Sequence, residues 1–142
     1  EATSRPVRTS LHRAPTMGAG IVNTFPALAE IRGVHAEFST PSDLGAAAQQ
    51  ESPLASETMA MFFAVLGSSA GNLALTTGAM GGVYIAGGIA PRYIDLLRKS
   101  DFRARFLAKG RFADYNTNIG TIVITHDDPG LLGAALCLGD KQ

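Results

Sequence analysis

Between Pro53 and Gly78, Met59, Phe62, Phe63, Leu66, Ala70 and Leu73 recur at steps of three and four. That period marks one face of a long helix. Gly67 and Gly71 interrupt it four residues apart, on one side. Glycine weakens a helix interior unless close packing requires it, so a neighbouring sheet is expected to approach there. Earlier, Ile21, Val22, Phe25 and Leu28 form a second apolar-periodic segment that opens at Gly18-Ala19-Gly20 and stops at Gly33. Pro26 inside it should confine the helix start or kink it. Thr40-Pro41-Ser42-Asp43 reads as a helix N-terminus, with Thr40 as cap, Pro41 at the first helical position and an end near Gln50. Ser52-Pro53 repeats the signal for the long helix.

The pattern then changes period. Val83-Tyr84-Ile85-Ala86 is an apolar run of strand length, the kind of run found in a parallel strand covered on both faces. Gly87-Gly88 follows it as a tight turn, and Pro91 is expected at the start of a helix with Ile94 and Leu97 inward. Asp101 should cap another helix, with Phe102 and Phe106 at i, i+4 and Gly110 as its stop. Thr121 to Thr125 is a second strand. Asp128-Pro129 then starts a final apolar helix over Leu131 to Leu138. Helices, strand, helices, strand and helix spell an α/β pattern with a parallel pair. Two strands are few for a sheet, which points to a chain that is part of something larger.

Two consecutive glycines after a strand leave no Cβ, so a ligand can approach the main chain closely. The helix that follows would turn unsatisfied N–H groups toward the same spot, a favourable place for anions. This is the grammar of a nucleotide-binding domain.

Composition narrows the options. The chain has 142 residues, 46% hydrophobic and 17% charged, and its 12 Lys plus Arg balance 12 Asp plus Glu. A chain of this length fits one domain, and a zero formal charge argues against nucleic acid or an anionic membrane as partner. Arg98-Lys99 and Arg103-Arg105 alternate with Asp95 and Asp101, as on a solvated helix face. Met59 to Pro91 carries no charged residue, yet its glycine-marked break separates a helix from a strand, so a core helix and core strand are expected rather than a membrane span. Cys137, the single cysteine, sits in an apolar run where it would act as a small hydrophobe and suits a reducing compartment. Residues 1–16 show no period and no leader-like apolar core.

Most polar candidates have an ordinary structural reading. Asp127 and Asp128 fit a turn and helix cap better than a catalytic pair. His12, His35 and His126 lack metal-ligand spacing. Ser68-Ser69 has no local histidine partner. Asn72 reads equally as a ligand contact or as a polar position packed against backbone.

Read together, Gly71-Asn72-Leu73-Ala74-Leu75, Gly81-Gly82-Val83-Tyr84-Ile85-Ala86-Gly87-Gly88-Ile89 with Pro91-Arg92, Lys109-Gly110-Arg111-Phe112 and Asp128-Pro129-Gly130-Leu131-Leu132-Gly133 resemble the C-terminal part of bacterial glucokinase. Gly18-Ala19-Gly20-Ile21-Val22-Asn23 is similar to that family's Gly-x-Gly-Leu-Val-Asn segment. The resemblance covers about Met17 to Leu138, in order. It implies the C-terminal lobe of an actin-like ATPase (sugar kinase) fold, helix-rich with a short parallel sheet and incomplete. Residues 17–142 would form a nucleotide-binding lobe after an irregular segment, 1–16.

The activity implied is transfer of the ATP γ-phosphoryl group to the 6-hydroxyl of glucose in the cytoplasm, with ATP and Mg²⁺ as cofactors. The positions implied for nucleotide binding are Gly87, Gly88, Ile89, Gly18 and Asn72, and the helix carrying Gly67 and Gly71 looks like the hinge between lobes. The family's phosphate loop, catalytic Asp and Glu-Gly-Gly-His glucose segment have no counterpart in this sequence. No catalytic residue is therefore expected here, glucose would be held by the N-terminal region of the family, and the isolated chain should be inactive. The alternative is a non-catalytic remnant that binds nucleotide weakly or associates through an uncovered apolar surface, which also allows a homodimer.

Overall fold

A computed structural model describes residues 18–35, 38, 40–50 and 52–139; the expected irregular segment 1–16 lies outside them. Its elements in order are α1 (Gly18–Arg32), α2 (Pro41–Gln49), α3 (Pro53–Thr77), β1 (Val83–Ile85), α4 (Ile89–Arg92), α5 (Ile94–Lys99), α6 (Phe102–Leu107), a 3₁₀ turn (Gly110–Phe112), α7 (Ala113–Thr117), β2 (Thr121–Val123) and α8 (Pro129–Gly139).

Helix α3 is the hub. At 25 residues it is the one described helix long and apolar enough to cross a membrane, but it packs on α1, α2, α5, α6 and α7. Ala55, Met59, Phe62, Phe63, Ala70 and Ala74 are buried along it, with Ile21, Phe25, Leu44, Phe102, Phe106 and Ile119 from its neighbours. Leu73, expected on the inner face, is exposed, and Gly71 and Ala74 take the inward positions instead. Gly67 and Gly71 do mark a close approach, but the neighbour is a helix, not a sheet. A Cβ on Gly67 would collide with the Phe102 carbonyl, and one on Gly71 with the Phe106 carbonyl.

Polar groups fasten this crossing. Asn116 is fully buried, and its Nδ2 donates to the carbonyls of Phe106 (2.8 Å) and Gly71 (3.2 Å). Phe106 lies in the last turn of α6, where carbonyls have no partner within the helix. Arg103 donates to the carbonyls of Ile119 (2.9 Å) and Thr117 (3.0 Å) and lies 4.9 Å from the Phe106 ring centre. It therefore joins α6 to the end of α7, whereas its charge pattern suggested a solvated face. Arg98, Lys99 and Arg105 are exposed, as expected.

The local signals fare unevenly. Thr40 caps α2 by accepting the Asp43 N–H at 3.1 Å, and α1 and α3 end at Gly33 and Gly78, both at positive φ. Helix α1 runs unbroken through the exposed Pro26. Pro91 does not start a helix. The one-turn α4 begins two residues earlier at Ile89, Tyr93 interrupts it, and α5 starts afresh at Ile94. Asp101 holds the cap position of α6 without a side-chain bond; the Ser100 hydroxyl accepts the Phe102 N–H instead, at 3.2 Å.

Strands β1 and β2 pair in parallel, Val83 with Thr121, Tyr84 with Ile122 and Ile85 with Val123. Successive side chains alternate between faces. Ile85 is buried and Val83 and Val123 pack on the core, while Tyr84 (61% exposed) and Ile122 (43%) face outward. Cover on both faces was expected, but only one face is covered among the described residues. Helix α8 likewise exposes Leu131, Leu132, Leu136 and Leu138, and Cys137 is exposed rather than buried.

Candidate functional site

Because β1 and β2 run the same way, the loops after them leave from the same edge of the sheet. Ala86-Gly87-Gly88 follows β1, and Ile124 to Asp128 follows β2. The Ile124 N–H donates to the Ile85 carbonyl at 2.9 Å, carrying the pairing one residue beyond the strands and holding the two loops together. Open α/β sheets bind ligands outside the carboxyl ends of their strands. At that edge a cleft of about 530 Å³ is lined by Gly87, Gly88, Pro91, Arg92, Thr125, His126, Asp127 and Pro129.

Gly87 and Gly88 form bare main chain at one side of the cleft. Beyond each glycine and its chain neighbours, no atom lies within 4 Å of where a Cβ would stand, so the corner is open rather than filled by side chains. Gly87 also has φ of +110°, a conformation side chains resist. Ile89 is half-buried and packs on the core. Gly18 stands at the start of α1, and the exposed Asn72 on α3 is not among the described residues lining the cleft.

The expected anion-attracting helix end is not built. Helix α4 has four residues, too few aligned peptides for a developed dipole. At the start of α8 Pro129 has no N–H and the Asp128 N–H is used by His126 Nδ1 at 3.1 Å, which leaves the Gly130 and Leu131 N–H groups as its open donors. Charge in the cleft is balanced between Arg92 and Asp127, neither of which is in an ion pair among the described residues. Arg92 reaches the Ser42 hydroxyl at 3.4 Å, which ties this side of the cleft to α2. A neutral, mixed donor–acceptor wall over glycine main chain suits an uncharged polar group better than a phosphate.

Arg92, Thr125, His126 and Asp127 were not singled out as site residues from sequence. The signal for them was present in the parallel pairing, because it brings the residues after both strands to one place. A second cavity, of about 510 Å³, lies beneath the sheet between Ile85 and Val123 on one side and Leu97, Phe102 and Arg103 on the other.

A helical hub carrying a parallel strand pair, with a glycine-edged cleft at its carboxyl edge, defines an α/β domain. The glucokinase family model matches residues 5–141. Curated glucokinases from Colwellia psychrerythraea (46% identical over 127 residues, 85% of this chain and 38% of that protein) and Paramagnetospirillum magneticum (47% over 126 residues, 88% and 39%) are similar to it. So is the crystal structure of a glucokinase from an Antarctic psychrotroph, with a TM-score of 0.77 at 37% identity over 87% of this chain and 39% of that one. The chain belongs to the glucokinase family, and it spans about two-fifths of the length of the relatives it matches.

Proposed function

We propose that this chain is the adenosine-side lobe of an ATP-dependent glucokinase, built as the C-terminal lobe of an actin-like sugar kinase fold. The observation that carries the reading is the open cleft over the Gly87–Gly88 main chain, at the carboxyl edge of a parallel pair, in a member of this family. The balanced charge of that cleft favours the nucleoside end of ATP. Gly87 and Gly88 would line it directly. Ile89 would set the turn through its packing on the core, Asn72 would reach nucleotide only from outside this cleft, and Gly18 would contribute from the start of α1.

Phosphoryl transfer needs Mg²⁺, donors to the phosphates and a carboxylate to accept the hydroxyl proton. The described residues gather no cluster of three metal-ligating side chains, and Mg²⁺ in such enzymes is held largely by phosphates and one or two carboxylates. In this reading Mg²⁺ and glucose are engaged by parts of the glucokinase architecture that this sequence does not contain. The 142-residue chain on its own then binds ATP without phosphorylating glucose, and it works in the cytoplasm, where ATP is available. The test pairs an ATP titration followed by amide shifts with a glucose phosphorylation assay. Shifts at Gly87 and Gly88 with no turnover above a heat-treated control support the reading, and turnover overturns the assignment of inactivity.

The outward Tyr84 and Ile122 and the exposed leucines of α8 favour a second reading, an interaction module that associates through apolar surface, including with its own copy.

A further inference from the structure

We infer that His126 is a specificity-determining residue of the cleft, donating from Nε2 to an uncharged acceptor on the nucleoside; the inference rests on the nucleotide reading above. His126 lines the cleft together with Gly87 and Gly88. Its Nδ1 accepts the Asp128 main-chain N–H at 3.1 Å, and a ring nitrogen accepts only when it carries no proton. A neutral imidazole has one donor and one acceptor nitrogen, so this bond puts the proton on Nε2. The hydrogen bond the other nitrogen makes sets the tautomer. The turn that starts α8 therefore fixes what the ring presents, a neutral N–H donor.

The next residue, Asp127, supplies a carboxylate acceptor on the same wall. A donor beside an anionic acceptor repels phosphate and matches a group that carries an acceptor next to a donor. A nucleoside offers that pattern in the vicinal hydroxyls of the ribose and on the amino edge of the base. Arg92, at the end of α4 on the opposite side, is drawn toward Ser42. That leaves His126 and the Thr125 hydroxyl as the neutral side-chain donors of the cleft wall, and of the two only the His126 donor is fixed by a main-chain bond.

Two substitutions separate binding from turn building. In His126→Asn the side-chain oxygen can still accept the Asp128 N–H, but the amide N–H stays close to the main chain and no donor stands at the Nε2 position. In His126→Gln a longer amide restores an outward N–H and gives up the local acceptor. The ¹⁵N-labelled 142-residue chain is titrated with ATP, adenosine, 2′-deoxyadenosine, purine riboside and inorganic phosphate, with imidazole nitrogens read by long-range ¹H–¹⁵N spectra.

The expected result is a proton on Nε2, an Nε2 shift on adding ATP or adenosine, and little response to phosphate. His126→Asn should bind adenosine about 3- to 10-fold more weakly, the range for loss of one neutral hydrogen bond, at an unchanged melting temperature. His126→Gln should recover affinity while melting lower. Disappearance of the Asn loss with 2′-deoxyadenosine assigns the acceptor to the 2′-hydroxyl, and its persistence there assigns it to an acceptor that this analogue keeps, a base nitrogen or the 3′-hydroxyl. Purine riboside, which lacks only the amino donor, reports the donor that pairs with Asp127.

A proton on Nδ1 overturns the inference whatever binds. Wild-type affinity in His126→Asn overturns it while leaving the nucleotide reading standing, and an equal loss in both variants marks turn building alone and overturns it too. Absence of any shift at Gly87 and Gly88 with ATP sinks the nucleotide reading itself, and with it this inference.

Discussion

The carbonyl oxygen of Phe106 occupies the space that a side chain on Gly71 would need. Helices α3 and α6 touch backbone to backbone there, and the contact positions everything downstream. Helix α6 leads into the 3₁₀ turn, α7 and β2, and β2 in turn carries the Thr125 to Asp127 wall of the cleft.

Gly71→Ala should therefore destabilise the chain by about 1–3 kcal/mol through overpacking, although alanine is the better helix former by about 1 kcal/mol. Gly67→Ala should behave the same way against Phe102. Urea unfolding measures both, and a neutral or stabilising effect would mean that the two helices are not in this contact.

Asn116→Ala removes the donor for two buried carbonyls, those of Phe106 and Gly71. Gly71 lies inside α3, where its carbonyl keeps a helical partner, so the group left unsatisfied is the Phe106 carbonyl, at a cost of about 1–3 kcal/mol. The Asn116 Oδ1 has no partner of its own, so only the donor side of the amide is at stake. Asn116→Asp, which keeps shape and loses the donor, should cost at least as much in the same unfolding assay.

Lys109 gives a pH signature. Its Nζ donates to the Ser68 carbonyl at 2.9 Å, and burial pushes its pKa below the ordinary lysine value of 10.5. A lowered lysine pKa means that the unfolded chain binds more protons between the folded and ordinary values, so stability rises with pH across that window. Below the folded pKa the desolvation cost is present in full. Unfolding midpoints of the parent chain minus those of Lys109→Met should climb as pH approaches 10.5; a flat difference would remove the desolvated lysine from the account.

Tyr84 and Ile122 face outward side by side across the parallel pair. Tyr84→Ser combined with Ile122→Lys should change stability little, since exposed substitutions stay within about 0.5 kcal/mol. If this face associates, the double substitution lowers the apparent mass in sedimentation, and an unchanged mass distribution puts association elsewhere.

Periodicity and turn chemistry were enough to read α1, α2 and α3 and both strands, because each has a strong local signal: Thr40 at a cap, glycines at the stops, and apolar runs at the strands. Features decided by tertiary contact were not legible. Gly67 and Gly71 announced a close approach, but nothing local said that Phe102 and Phe106 would be the neighbours. Arg103 looked like a surface charge because the carbonyls it serves lie 14 and 16 residues away. The cleft was half legible. The glycines after β1 were visible, whereas His126 and Asp127 joined them only through the parallel pairing, and α4 proved too short for the anion-binding end expected of it.

The most direct test concerns Gly87 and Gly88. Gly88 has an ordinary φ of −80°, so Gly88→Ala should fold normally while placing a methyl group into the cleft. Gly87→Ala adds backbone strain of about 1–3 kcal/mol. The measurement is the dissociation constant for ATP of parent and Gly88→Ala, read from amide shifts of the ¹⁵N-labelled chain. The account predicts shifts centred on Gly87, Gly88 and the Thr125 to Asp127 loop, with affinity reduced in Gly88→Ala at unchanged stability. ATP that leaves those amides unmoved, or that binds Gly88→Ala as tightly as the parent, would contradict it.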